Sequence, residues 1–246
     1  MCGIAGFITL KSFSKDDLIT YVSRMSQTLK SRGPNDSGVW VDEEAGVALG
    51  HRRLSVIDTS SGGHQPMESL CGRYVISYNG EVYNFKILRQ ELRDAGHIFQ
   101  SHSDTEVVLT AITEWGIENA VKHFIGMFAF ALWDEKECML YLVRDRLGIK
   151  PLYYSIMGES IVFGSELKAL TALPSFRKEI DRSVLALMLR YNYIPAPYSI
   201  YENVYKLLPA TIATIRHRYP GAGRSSLKSL SLETKVYWSA KQIAED

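Results

Sequence analysis

Much is missing from this chain, and each absence excludes something. Its 246 residues hold only three cysteines, Cys2, Cys71 and Cys138. They are odd in number and far apart, with no CxxC pair and no Cys/His ligand spacing. That rules out a disulfide framework, indicates no metal site, and fits a reducing, cytoplasmic setting. No stretch approaches the roughly 18 apolar residues of a membrane helix. The leading segment lacks the long apolar core of a signal peptide. With 28 basic and 27 acidic residues the net charge is +1, so nothing points to nucleic acid or an anionic membrane as partner. No Walker-type phosphate loop and no internal repeat occur. What remains is ordinary globular composition, 46% hydrophobic and 22% charged, at a length suited to one large domain.

The most informative residue present is the second. Cys2 opens the run Met1-Cys2-Gly3-Ile4-Ala5-Gly6-Phe7, and its small side chain makes the Met1-Cys2 bond a target for methionine trimming. Trimming leaves a thiol and a free α-amine on one residue. A terminal amine with a pKa of about 7.7–8.0 is partly unprotonated near neutrality and can serve as the thiol's base. On its own, Cys2 also fits a buried structural cysteine in a first strand. Gly3 and Gly6 let other backbone approach the terminus closely, so the terminus reads as built into the fold.

Patterning along the chain alternates helices and strands. Ser14 is placed to cap a helix carrying Leu18, Val22, Met25 and Leu29 at helical spacing. Arg32–Asp36 ends it in a turn. Val39–Val41, Val47–Leu49 and Tyr74–Tyr78 read as strands, the last broken by a turn at Asn79-Gly80. Asn84 and Ser103 are candidate caps for two further helices. Met127–Trp133, Met139–Val143, Leu152–Ile156 and Ile161–Phe163 read as antiparallel strands. Ser165–Leu173 and Asp181–Leu189 read as helices and Tyr191–Pro209 as a Tyr/Pro-rich connector. Thr211–Ile215 and Lys235–Trp238 are last strands, split by a polar loop from Arg218 to Ser231. Together these argue for α+β layers.

Four clusters stand out: Gly50–Ser55, Tyr78–Glu81, Ser103–Glu106 and Arg144–Pro151. Each alone is unremarkable, since Asn79-Gly80 is a common turn dipeptide and Asp104 suits any first helical turn. With the MCGIAGF start, Gln65-Pro66-Met67, Gly126–Asp134, Ser165–Lys168, Tyr193–Pro197 and Lys206–Pro209, they resemble the glutaminase domain of class II glutamine amidotransferases. These are N-terminal-nucleophile hydrolases, and the match is particularly to the glutamine-hydrolysing asparagine synthetases. The resemblance runs through nearly the whole chain. It implies an αββα sandwich over residues 2–240, with 191–209 as connector. Residues 241–246 then form a tail where a synthetase domain would begin.

The resemblance also implies roles. Cys2 attacks the side-chain amide of L-glutamine, forming a thioester and releasing ammonia. Asn79 and the Gly80 N–H form the oxyanion hole. Arg53 grips the substrate carboxylate, Glu81 and Asp104 accept from its ammonium, and Arg32 supports the nucleophile. No metal and no cofactor is expected in this chain, because ATP and Mg belong to the synthetase half. Expected partners are glutamine and an ammonia-accepting synthetase domain or subunit, with a homodimer as a further assembly. Another amine acceptor, or a silent glutamine-binding module, stands as the alternative. Two departures from the family pattern are visible. Asn35 stands where an aspartate is usual, which would weaken a supporting ion pair. Ser61-Gly62-Gly63-His64-Gln65 begins like the synthetase pyrophosphate loop, but Gln65 replaces its aspartate, so this segment reads as an ordinary turn.

Overall fold

A computed structural model describes residues 1–218 and 229–245. Strand β1 (Gly3–Thr9) leads to helix α1 (Lys15–Gln27). That helix starts in a capping box, in which Ser14 Oγ accepts from the Asp17 N–H and the Asp17 carboxylate accepts from the Ser14 N–H. Strands β2 (Asp36–Asp42) and β3 (Val47–Arg53) form a hairpin. A 3-10 turn (Ser61–Gly63) and short β4 (Met67–Glu68) precede β5 (Tyr74–Val82). Then come α2 (Phe85–Asp94), α3 (Asp104–Trp115) and α4 (Ile117–His123), followed by β6 (Gly126–Asp134), β7 (Met139–Arg144), β8 (Tyr153–Met157) and β9 (Ser160–Gly164). The chain continues through α5 (Leu167–Leu170), α6 (Arg182–Tyr191), β10 (Val204–Lys206), β11 (Thr211–Arg218), β12 (Ser229–Val236) and α7 (Ala240–Glu245).

The strands make two antiparallel sheets, ordered β10-β8-β9-β1-β3-β2 and β12-β11-β7-β6-β5-β4. Period-two alternation fills three apolar layers. In β6, Phe128, Phe130 and Leu132 pack outward under α2, α3 and α4, while Ala129, Ala131 and Trp133 face the other sheet. In β1, Ile4 and Ile8 face inward and Ala5 and Phe7 pack under α1 with Leu18, Val22, Met25 and Leu29. The architecture is the expected αββα sandwich. No described helix is long and apolar enough to cross a membrane.

Several local expectations need correction. Asn79-Gly80 is not a turn but lies inside β5, opposite Ala129 and Phe128. The pattern-breaking dipeptide masks a strand that packing on both faces enforces. Asn84 makes no side-chain cap; its amide instead bridges the His123 carbonyl and the Ile125 N–H. The helix read at Ser165–Leu173 is only Leu167–Leu170, because Ser165 is held by Ile4 across the sheet end. The last strand is Ser229–Val236 rather than Lys235–Trp238, its register set by pairing with β11. Arg218 and Ser229–Ser231 are therefore strand, and the rest of the polar loop, 219–228, lies outside the described residues. Helices α4 and α7 were not foreseen.

One buried polar group gives the core a pH response. His51 on β3 is fully buried; its Nε2 lies 3.0 Å from the Tyr78 carbonyl and its Nδ1 has no partner. Burial lowers its pKa from 6.5 to about 4, against the opposing pull of that carbonyl. The folded state thus keeps the imidazole neutral where the unfolded chain protonates. Stability is full above pH ~6.5 and falls by about 3 kcal/mol as pH drops toward 4. Urea unfolding between pH 7 and 4 is expected to show this loss, and His51→Gln to flatten it.

Candidate active site

The same alternation places the site. Val47 and Leu49 of β3 face the inter-sheet core, so His51 and Arg53 continue that face. On β5 Val75 faces inward, and so therefore do Asn79 and Glu81. Cys2, two residues before inward Ile4, extends the inner face of β1. At this end of the sandwich the apolar filling stops, and a cavity of about 190 Å³ opens. Cys2, Arg53, Asn79, Gly80, Glu81 and Asp104 all line it, as does Lys150. All four sequence clusters thus meet at one pocket.

Cys2 sits half-buried at the end of a central strand. The Leu54 N–H donates to its Sγ at 3.4 Å, and Sγ lies 3.7 Å from the Leu54 carbonyl. Arg32 Nε donates to the Cys2 carbonyl at 2.9 Å, and Arg32 Nη1 pairs with Glu166 at 2.8 Å. Arg32 therefore fixes the backbone of the nucleophile without touching its sulfur. Burial pushes the Cys2 thiol up from its ordinary value. Burial also lowers the terminal amine, here still on Met1, with the cations of Arg32 and Lys150 acting in the same direction.

Two hydrogen-bond donors belong to residues that line this space. Asn79 is buried, yet its Nδ2 has no partner. A buried donor left unpaired costs ~1–3 kcal/mol, so its persistence beside a thiol marks an acceptor site. For Gly80 the argument comes from the ladder. The Tyr78 N–H donates to Gln65 Oε1 at 2.6 Å and the Val82 N–H to Asp104 Oδ2 at 3.1 Å. Both point away from β6, and Gly80, between them at the same parity, turns its N–H to that edge too. Pairing with β4 stops at Ile76, leaving this edge open to the cavity. A side chain at Gly80 would lie 2.5 Å from the Met127 carbonyl and 2.6 Å from Phe128 Cβ, so close packing, not a turn, requires glycine here.

The other end of the pocket is charged. Arg53 is buried; its Nη1 donates to the Ser60 carbonyl at 2.7 Å and its Nη2 to the Asp58 carbonyl. A Cβ on Gly63 would collide with the guanidinium. The segment taken as an ordinary turn is thus the wall that orients Arg53. Its neighbour Gln65 bridges the Tyr78 N–H and Thr105 Oγ1. Asn35 and Asp36 brace this wall as well. Asn35 Oδ1 accepts from the Ser55 N–H at 3.1 Å, and Asp36 pairs with His64 at 2.7 Å. Asp104, the first residue of α3, accepts from Tyr78 Oη at 2.9 Å, and burial raises its carboxyl. Glu81 makes no hydrogen bond or ion pair among the described residues and is free to meet a cation. Sequence reasoning quoted Gln65 and Lys150 within its motifs but gave them no role, and it read Gly63 as part of an ordinary turn; the dense Gly-Gly-x-Gln spelling is the one local signal there.

Residues 1–221 match the glutamine amidotransferase domain family. The chain belongs to that family. It is 43% identical over 217 residues to asparagine synthetase [glutamine-hydrolyzing] 3 of Bacillus subtilis, covering 87% of this chain and 34% of that protein. A putative asparagine synthetase 2 of Methanocaldococcus jannaschii is 36% identical over 225 residues, covering 84% of this chain and 42% of that protein. The glutamine amidotransferase domain thus spans about a third to two-fifths of the length of these relatives. In fold it is similar to the glutamine phosphoribosylpyrophosphate amidotransferase of B. subtilis, with TM-score 0.66 at 19% identity, covering 96% of this chain and 49% of that one.

Thiol environments give a test of this geometry. Cys71 is exposed; partial burial works against its thiolate, but hydrogen bonding led by Ser69 brings the thiol below its ordinary value. In protein that retains Met1, iodoacetamide at pH 7 should therefore modify Cys71 well before Cys2. Peptide mapping by mass spectrometry reads the order.

Proposed function

We propose that this domain hydrolyses L-glutamine to glutamate and ammonia through a thioester on Cys2. The observation that carries this reading is the buried, unpartnered amide of Asn79, a residue that lines the same cavity as Cys2. Removal of Met1 places the α-amine on Cys2. The amine takes the thiol proton, and the sulfur bonds to the amide carbon of the substrate. Negative charge gathering on the carbonyl oxygen is met by Asn79 Nδ2 and the Gly80 N–H. The tetrahedral species collapses by breaking the C–N bond, and the α-ammonium returns its proton to the leaving ammonia. A water molecule, deprotonated by the same amine, then attacks the thioester and releases glutamate.

Recognition of the amino-acid end follows from charge. Two N–H groups of Arg53 are engaged by the loop, which orients the guanidinium and leaves others for the substrate carboxylate. Glu81 and Asp104 suit the ammonium. Simple amides lacking that head would leave these groups unpaired and bind poorly. The names and greater lengths of the relatives support an asparagine-forming synthetase as the ammonia acceptor, with ATP and Mg used there. A silent glutamine-binding module is disfavoured by a thiol and an orphan donor sharing one pocket.

Two experiments test this. Intact mass of active protein should lack Met1, and a glutamine-like diazo-ketone should add once, at Cys2. Material that is active with Met1 in place, or unlabelled at Cys2, would refute the mechanism, while Cys2→Ala should be folded and inactive. Steady-state kinetics should separate the two pocket ends. Asn79→Ala should lower kcat about a hundred- to a thousandfold. Arg53→Lys should instead act mainly on KM, raising it about tenfold as a point charge replaces a planar fork.

A further inference from the structure

The Arg144–Pro151 cluster has one member that the proposed chemistry leaves without a task. Lys150 is only 4% exposed and lines the cavity with Cys2. The turn that delivers it is tightly pinned. Asp145 Oδ1 accepts from the N–H groups of Leu147 and Ile149, and Oδ2 from those of Lys150 and Phe128. Arg144 donates to the carbonyls of Lys150 and Gly148, and Gly148 takes a left-handed φ of +67°. Such a scaffold fixes the lysine backbone at the pocket wall.

Burying an ammonium is costly unless an anion answers it. Lys150 Nζ makes no ion pair or hydrogen bond among the described residues, and Asp145 spends both oxygens on backbone N–H groups. If only volume were needed, a leucine or methionine would fill the wall at lower cost. This unpaired cation shares the cavity with the unpaired Glu81 carboxylate. Around the terminal amine of Met1, one residue before the amine that processing would expose, stand Arg32 from the turn after α1, Glu81 from β5, Lys150 from this loop and the Cys2 thiol. Arg53 and Asp104 act on the thiol beside it. Arg32 is neutralised by Glu166 at 2.8 Å, and Glu81 favours the protonated amine. Arg32 and Lys150 both oppose it, and of these two Lys150 is the one without a paired anion.

We propose that Lys150 is a positioning residue for the proton, its uncompensated charge holding the N-terminal amine in the neutral, proton-accepting form at physiological pH. The inference rests on the amine-as-base reading above. It accounts for how a base flanked by Glu81 stays available without a histidine.

The test compares processed wild type with Lys150→Met, Lys150→Gln and Lys150→Arg. In the neutral variants the acidic limb of kcat/KM should move up by about one pH unit, for roughly a tenfold loss below the limb. KM at high pH should be unchanged, and Lys150→Arg should keep the wild-type limb. A titration independent of turnover is the ¹³Cβ shift of Cys2, identified by its loss in Cys2→Ala. Amine and thiol titrate as a pair, so both macroscopic steps should rise together. If the domain proves unable to hydrolyse glutamine, this shift still decides the matter. An unmoved titration in folded Lys150→Met or Lys150→Gln overturns the proposal. A raised KM with an unmoved titration also overturns it, and makes Lys150 a substrate contact. Should Lys150→Met fail to fold, Lys150→Gln is read by the same criteria.

Discussion

On β1, β3 and β5, odd or even position decides whether a side chain meets the inter-sheet core or the helices outside, and the pocket depends on this alternation. Ile4, Leu49 and Val75 fix the phase by burial in the central layer. Cys2, Arg53, Asn79 and Glu81 inherit that phase two to six residues further along. A register slip of one residue would turn these groups to the wrong face of their sheets. The apolar layer thus acts as the jig for the polar one, and site geometry and core packing cannot be varied separately.

At the mouth of the sandwich the balance of forces changes. Deeper in, the Ser77 hydroxyl finds a partner within the protein. At the cavity the Asn79 donor, the Glu81 carboxylate and the Lys150 ammonium do not. Unpaired polar groups of this kind cost stability and persist where a ligand answers them. The surrounding hydrogen bonds hold them still. Arg53 is clamped by carbonyls of its own loop, Asp104 by Tyr78 and the Val82 amide, and the Lys150 turn by Asp145. Donors fixed before substrate arrives need not reorganise during reaction.

Much of this was legible in the residues themselves. The capping box at Ser14, the buried stripe of α1 and the strands from β6 to β9 followed from pattern alone. The αββα layering and the set of residues gathered around Cys2 came through family resemblance. The misreadings share a cause. Asn79-Gly80 has a turn-forming spelling, yet pairing with Phe128 and Ala129, far along the chain, makes it strand. Ser61–Gly63 looks like a loop of no consequence, and only the distant guanidinium of Arg53 shows why a side chain is excluded at Gly63. Lys150 stands in a cluster the sequence singles out, and only the Asp145 turn shows that it is buried at the pocket. Local composition records what a segment prefers, whereas these positions are decided by neighbours brought in by topology.

The anchoring of the leading strand has a consequence for synthesis. Ile4 exchanges hydrogen bonds with Ser165, and the arginine holding the Cys2 carbonyl is itself held by Glu166. Cys2 is therefore locked in place only once Ser165 and Glu166 have been synthesised. A nascent polypeptide short of that point carries the sulfur but not its cradle, so the pocket around Cys2 is completed only when translation has supplied the far side of the sheet.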